Sequence, residues 1–207
     1  MTIPLFLFLS LCDIISLIWK KEGVPMELKE TMLDSKLVYD GGLLKVYRDT
    51  VELVNGAQAW REVIRHPGAV VMVPVDEEGN VYLVRQFRYP YGRVLLEVPA
   101  GKLERGEDPF CAAQRELEEE IGASASRWTP MGQMLPTPGF CDELQHVWLA
   151  RGLTFGECHP DEDEFLEPVK LPLKEAAAMA TDGRLEDSKT VAAILRAVRL
   201  IEEENNG

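Results

Sequence analysis

From residue 26 onward, apolar and polar positions follow two periods, one typical of strands and one typical of amphipathic helices. Residues 69–75, AVVMVPV, are apolar throughout, which predicts a strand buried on both faces. A polar turn then leads to a returning strand, VYLVRQFR. Further strands are predicted at 94–98, 128–135, 144–149 and 166–171, and closing helices at 174–181 and 188–203. This interleaving predicts a layered α/β domain.

The segment that precedes the buried strand predicts a separate β-hairpin. Between Gly42 and Leu53 the sequence LLKVYRDTVEL alternates well enough for a strand. Asn55-Gly56 follows, a dipeptide that favours a tight hairpin turn, and QAWREVIRH supplies the returning strand. We therefore assign residues 26–66 to an N-terminal hairpin arm and residues 67–207 to the main domain.

Residues 1–25 differ in composition from the rest of the chain. Residues 3–19 are almost continuously apolar, interrupted by Asp13, and two lysines follow. The run is short for a membrane span and carries a costly aspartate, which weakens the interpretation as an anchor or signal. Codons for Lys21-Glu22-Gly23 could form a ribosome-binding sequence, so the favoured interpretation is a misassigned start with Met26 as the initiator. An anchor and a buried N-terminal helix remain as alternatives.

Charge and cysteine content limit the partners. The 207-residue chain has a net charge of −13 and no basic stripe, which argues against a nucleic-acid partner. An anionic substrate would need local arginines and a metal ion. The cysteines show no CxxC pair and no histidine at ligand spacing, which indicates a reducing, cytoplasmic location and no zinc site. A membrane partner is expected only if residues 1–25 are a real anchor.

The chemistry is concentrated in residues 101–123, GKLERGEDPFCAAQRELEEEIGA. Asp108 suits the N-cap, the proline after it suits the first helical position, and Gly122 suits the stop, which predicts a helix over about 109–121. Glu116 and Glu120 lie four residues apart and therefore share one flank, with Glu119 just beyond them. Such a cluster is either a solvated acidic face or a site for a hard cation such as Mg²⁺.

The spacing within this segment resembles the Nudix box. Its fixed positions are matched in order by Gly101, Glu107, Arg115-Glu116-Leu117, Glu119-Glu120 and Gly122. Ala123 departs from the larger aliphatic residue usual in the family, a difference that concerns packing at the helix end. The resemblance covers roughly residue 43 to the end. It implies a Nudix-type α/β/α sandwich with a mixed sheet, here preceded by the hairpin arm.

Outside the box, the chain resembles the ADP-ribose pyrophosphatase branch. Pro138, fifteen residues after the box, has the spacing of that branch. The resemblance implies a homodimer whose hairpin crosses to the partner. It also implies that Trp60 stacks on adenine, that Arg61 and Glu62 bind the nucleoside end, and that Arg88 binds the diphosphate. Simple alternatives are strand packing for the tryptophan, a cross-strand ion pair for its neighbours, and an ordinary turn for the TPGF loop at 137–140.

The resemblance also implies the metal ligands. Glu116, Glu119, Glu120 and the carbonyl of Ala100 would hold two or three Mg²⁺ ions, or Mn²⁺ in their place, on the substrate diphosphate. Carboxylate and carbonyl oxygens suit such hard cations. Metal ions and a general base together offset the charge repulsion that slows the hydrolysis of a diphosphate ester.

The remaining assignments concern proton transfer and orientation. Glu162 and Glu164 match a Glu-x-Glu pattern in a loop where the family carries its catalytic base, so one of them would deprotonate the attacking water. Glu107 is expected to orient Arg115 rather than to bind metal. The implied reaction converts ADP-ribose and water to AMP and ribose 5-phosphate. The alternatives are another nucleoside diphosphate sugar, a dinucleotide, or a Nudix domain that senses ADP-ribose without turnover.

Overall fold

The computed structural model describes residues 28–42, 44–158 and 165–206. The leader at 1–25 and the candidate bases Glu162 and Glu164 lie outside these ranges. The described chain forms two compact units. Residues up to Ser35 and from Asp49 to Trp60 belong to the first unit, and residues from Lys36 to Arg48 and from Arg61 onward belong to the second.

The N-terminal strands are β1 (Thr31–Asp40), β2 (Lys45–Glu52) and β3 (Gln58–Arg65), which form a sheet in the order β1-β2-β3. The predicted hairpin is β2–β3, and its turn has Gly56 at φ +79 and a hydrogen bond of 3.0 Å from the Ala57 amide to Asn55 Oδ1. Sequence analysis missed β1. Every residue of β1 is exposed, so no buried face imposes the period of two by which strands are recognised.

The second sheet is mixed, as expected, and has seven strands. Strand β4 (Ala69–Val75) lies parallel to β9 (Gln145–Phe155), and all other pairs are antiparallel. The path runs β10-β5-β4-β9-β8, with β6 beside β5 and β7 beside β4. The remaining strands are β5 (Asn80–Arg88), β6 (Arg93–Glu97), β7 (Ala100–Lys102), β8 (Ala123–Met134) and β10 (Leu166–Pro172).

Within the described residues, three helices cover this sheet: α1 (Pro109–Ile121), α2 (Leu173–Asp182) and α3 (Ser188–Asn206). Strand β4 explains the layering because its side chains alternate between two cores. Val71 and Val73 belong to the core that contains residues of α2 and α3, whereas Val70 and Met72 belong to the core that contains Leu117 of α1. Each such fully buried side chain contributes about 1.5–3 kcal/mol. The α/β/α sandwich is therefore confirmed.

Strand β7 was not predicted, and the bounds of two long strands differ from prediction. Strand β8 begins at Ala123, directly after the helix stop, rather than at residue 128, and β9 continues to Phe155. Within the described ranges, no helix is long and apolar enough to cross a membrane.

Candidate active site

Helix α1 has the predicted boundaries because its ends are set by local chemistry. Asp108 Oδ1 accepts hydrogen bonds from the backbone amides of Phe110, at 2.9 Å, and Cys111, at 3.2 Å. Gly122 adopts φ +63, a left-handed conformation that ends the helix, and its amide donates to the Glu118 carbonyl. Glu116 and Glu120 are among the buried residues of this helix, so its packing on the sheet fixes the positions of their carboxylates.

Arg115 organises the polar flank of α1. Its Nε and Nη2 donate to the two carboxylate oxygens of Glu107 at 3.0 and 3.1 Å. Its Nη1 lies 2.8 Å from Glu119 Oε2 and 2.9 Å from Glu116 Oε1. The hydrogen bond from Arg115 lowers the pKa of Glu107, and the same contact raises the pKa of Arg115. Glu107 therefore holds one edge of the guanidinium, as expected for an orienting role.

The side chains of Glu116 and Glu120 lie against the start of β7. Both are buried, with 8% and 5% of their surface exposed. Glu120 Oε2 accepts from the Ala100 amide at 3.3 Å. A Cβ built on Gly101 would lie 1.8 Å from Glu116 Cδ, so only glycine leaves space for that carboxylate. Two buried carboxylates beside the first residues of β7 form an oxygen-rich donor set that fits a hard divalent cation.

The same carboxylates are not gathered into a metal cage. Among the described residues, no three histidine, cysteine, aspartate or glutamate side chains converge closely enough to enclose an ion. Arg115 explains this arrangement, because its guanidinium draws Glu119 and Glu116 toward itself. A bound cation would compete with Arg115 for these oxygens.

Residues of the second unit enclose a cavity of about 600 Å³ beside β7. Ala100, Gly101 and Glu120 line one part of its wall, and Arg88 and Lys189 line another. The cavity therefore brings together negative groups suited to metal and positive groups suited to phosphate. The loop after β8 also contributes to the lining, through Pro136, Thr137, Phe140 and Cys141.

The residues predicted to bind the nucleoside end of the substrate are exposed. Trp60 lies on β3 with 63% of its surface exposed, and Arg61 and Glu62 follow it as exposed residues. Of the residues that the structure describes around the cavity, the lining does not include Arg61, Glu62 or Pro138. Their roles stay predictions. The TPGF loop is a turn, in which the Cys141 amide donates to the Thr137 carbonyl at 3.0 Å.

Sequence analysis missed an ionic cluster at the cavity wall. Glu97 is 2% exposed, and its carboxylate accepts from Arg88 and Lys189. Burial raises the pKa of Glu97, but the hydrogen bonds and charges of these two cations outweigh burial and leave the pKa lowered. The sequence signal is that Glu97 ends β6 directly after three apolar residues, Val94 to Leu96. Its partner Lys189 lies 92 residues away in sequence.

Comparison with known proteins identifies the family. A family model described as the NUDIX domain matches residues 65–194, which is more than half of the chain. The chain belongs to the Nudix family. The matched region includes α1 and all of the carboxylates that surround Arg115.

Individual relatives are similar in sequence to this chain over most of its length. An ADP-ribose pyrophosphatase of Bacillus subtilis (strain 168) is 41% identical over 169 residues, 81% of this chain and 91% of that protein. A methanol dehydrogenase activator of Bacillus methanolicus is 40% identical over 168 residues, 80% of this chain and 91% of that protein. Among solved structures, an ADP compounds hydrolase superposes with a TM-score of 0.77 at 25% identity, covering 85% of this chain and 96% of its own.

Proposed function

We propose that this Nudix protein hydrolyses the diphosphate bond of ADP-ribose, with Mg²⁺, to AMP and ribose 5-phosphate. The observation that carries the proposal is the cavity that combines Glu120 and the start of β7, Ala100 and Gly101, with Arg88. The substrate is taken from the Bacillus subtilis relative, whose name specifies ADP-ribose, and the structural neighbour is described as acting on ADP compounds. The scattered cysteines favour the cytoplasm as the location of this reaction.

Of the proposed metal ligands, Ala100 and Glu120 line the cavity, whereas Glu116 and Glu119 lie beside it on α1. Glu116, Glu119, Glu120 and the Ala100 carbonyl would hold two or three Mg²⁺ ions, or Mn²⁺ in their place. A divalent cation held there supplies charge neutralisation on the diphosphate oxygens. Arg88 would bind the same diphosphate through guanidinium N–H groups.

The remaining catalytic tasks belong to the acidic residues around these ligands. Glu107 keeps Arg115 oriented, and Arg115 controls how far Glu119 and Glu116 turn toward the cation. Glu162 or Glu164 would take the proton of the attacking water as general base. Their assignment rests on the Glu-x-Glu resemblance alone.

The nucleoside end of the substrate would be bound across a homodimer. Trp60 would stack on adenine, with Arg61 and Glu62 beside it and Pro138 shaping the loop. Large apolar side chains are exposed along the first strand, including Met32 at 59% and Tyr39 at 58%. Exposed apolar area of this kind is typical of a surface that a partner covers.

We therefore expect two chains per particle. One chain has a mass of 23.3 kDa, so sedimentation velocity should give a single species of twice that mass. The charged double substitution Met32→Glu with Tyr39→Glu should shift the protein toward the monomer, because it places like charges in the contact. Glu30→Gln, on a nearby exposed position, serves as the control. A wild-type monomer at micromolar concentration would contradict the dimer.

A substrate panel tests the proposed activity. We expect kcat/KM with Mg²⁺ to be highest for ADP-ribose when ADP-ribose, GDP-mannose, NADH and a diadenosine polyphosphate are compared, with activity abolished by a chelator. Product analysis should give AMP and ribose 5-phosphate. A higher value for another compound would reassign the substrate to a different nucleoside diphosphate sugar or a dinucleotide. Binding of ADP-ribose without turnover of any compound would identify a sensing module.

A further inference from the structure

The ionic cluster at the cavity wall is built around one buried carboxylate. Glu97 lies on β6 and accepts two hydrogen bonds from Arg88, from Nε to Oε1 and from Nη2 to Oε2, each 2.7 Å long. This bidentate geometry fixes the plane of the guanidinium. Lys189 Nζ donates to Glu97 Oε2 from the other side. The carboxylate therefore bridges two cations that line the same cavity.

Lys189 is itself held in place by the start of α3. Asp187 Oδ2 accepts from Lys189 Nζ at 3.0 Å, from the Thr190 amide at 2.9 Å and from Thr190 Oγ1 at 2.6 Å. Thr190 Oγ1 accepts in turn from the Val98 amide at 2.9 Å. The first turn of α3 is thereby attached to the chain segment that leads from Glu97 to β7.

Arg88 keeps hydrogen-bond donors that its pairing with Glu97 does not use. A guanidinium has five N–H groups, and the Glu97 carboxylate occupies only two of those on Arg88. Both hydrogens on Nη1 remain outside this pair. The two carboxylates of the cluster, Glu97 and Asp187, balance the charges of Arg88 and Lys189, so no excess negative charge competes with a phosphate for the free donors of Arg88. Arg88 is 38% exposed by side chain, whereas Lys189 is 12% exposed, so Arg88 is the more accessible of the two.

We propose that Lys189, through the buried Glu97, is a positioning residue for Arg88, which it holds in the orientation that binds the substrate diphosphate. This inference rests on the proposed role of Arg88 in diphosphate binding. Without Lys189, the two carboxylates Glu97 and Asp187 would keep Arg88 as the only cation in the cluster. The Glu97 carboxylate would then draw the guanidinium inward and weaken its contact with phosphate oxygens.

Kinetics of a double-mutant cycle test this proposal. Lys189→Met keeps the length of the side chain and removes its charge. We expect it to raise KM for ADP-ribose about 10- to 100-fold, the size of one charge-assisted hydrogen bond, with kcat changed less than about threefold. Lys189→Arg should restore KM to within about threefold of wild type. In the Arg88→Met background, Lys189→Met should have little further effect on KM, because the residue that it positions is gone.

Each other result overturns the inference. An unchanged KM in Lys189→Met shows that Lys189 does not position Arg88. An equal KM increase in both backgrounds shows that Lys189 acts independently, and failure of Lys189→Arg to restore KM shows that charge is not its contribution. If Lys189→Met does not fold, Lys189→Gln is measured instead, because it also removes the charge, and it should give the same KM increase. A normal KM in a folded Lys189→Gln variant would also refute the proposal.

Failure of the proposed substrate is separable from failure of this inference. If wild type turns over another nucleoside diphosphate compound better than ADP-ribose, the assignment of ADP-ribose is wrong. The same cycle is then measured with that compound, because Arg88 is proposed to bind the diphosphate that all of these substrates share.

Discussion

Glu120→Gln is expected to lower kcat for ADP-ribose at saturating Mg²⁺ on the order of 10³-fold, about 4 kcal/mol of activation free energy. Glutamine has nearly the same shape as glutamate, so the buried site next to Ala100 keeps its packing. It lacks the negative charge that a hard divalent cation requires. Steady-state kinetics and thermal unfolding of the same preparation separate loss of turnover from loss of fold.

The neighbouring Glu118 offers a matched control for this substitution. It lies on the same helix but is exposed, so Glu118→Gln should keep near-normal kcat. Glu162→Gln and Glu164→Gln provide a second comparison. The variant that removes the general base should lower kcat without changing the Mg²⁺ concentration that gives half-maximal activity. Near-normal turnover by Glu120→Gln in Mg²⁺ would contradict the proposed metal site.

Gly101→Ala is expected to lower kcat about 10²-fold, through the position of a carboxylate rather than through backbone strain. The new Cβ would lie 2.0 and 2.1 Å from the two carboxylate oxygens of Glu116, which must therefore turn away from β7. The φ of Gly101 is not in the left-handed region, so alanine is compatible with the backbone. Steady-state kinetics should show a lower kcat. A Mg²⁺ titration of activity should show that a higher Mg²⁺ concentration is needed for half-maximal activity.

Gly42→Ala is the control for Gly101→Ala because a Cβ at Gly42 meets open space and its φ is also ordinary. It should behave as wild type. If Gly101→Ala retains full activity with unchanged Mg²⁺ dependence, then the close approach of Glu116 to Gly101 in β7 has no role in catalysis.

Local signals in the sequence were sufficient for the central helix and strand. Helix α1 could be bounded to the residue because Asp108 and Gly122 act on backbone groups within one turn of themselves. Strand β4 could be recognised because it is buried on both faces, which leaves an uninterrupted apolar run. Strand β1 could not, because all of its residues are exposed and its sequence therefore carries no periodic pattern.

Within the site, too, contacts between residues close in sequence could be predicted, and contacts between distant residues could not. Arg115 and Glu119 lie four residues apart on one helix, a spacing at which side chains meet, and their contact is 2.8 Å long. Helical spacing does not relate Glu107 to Arg115, because Glu107 precedes the helix. The bridge from Glu97 to Lys189 depends on how α3 packs beside β6, and no local rule relates residues 92 positions apart. A glutamate in a strand is usually exposed, so its type alone did not indicate a buried ionic cluster at Glu97.

Electron paramagnetic resonance of Mn²⁺ measures most directly whether the α1 carboxylates bind the divalent cation. Mn²⁺ is titrated into wild type, Glu120→Gln and Glu118→Gln in the presence of AMP, and the signal of free Mn²⁺ gives the bound fraction. We expect wild type and Glu118→Gln to bind with equal affinity and Glu120→Gln to bind at least about tenfold more weakly, a loss of about 1.4 kcal/mol. Equal affinity in all three proteins would contradict a metal site at Glu120 and Ala100.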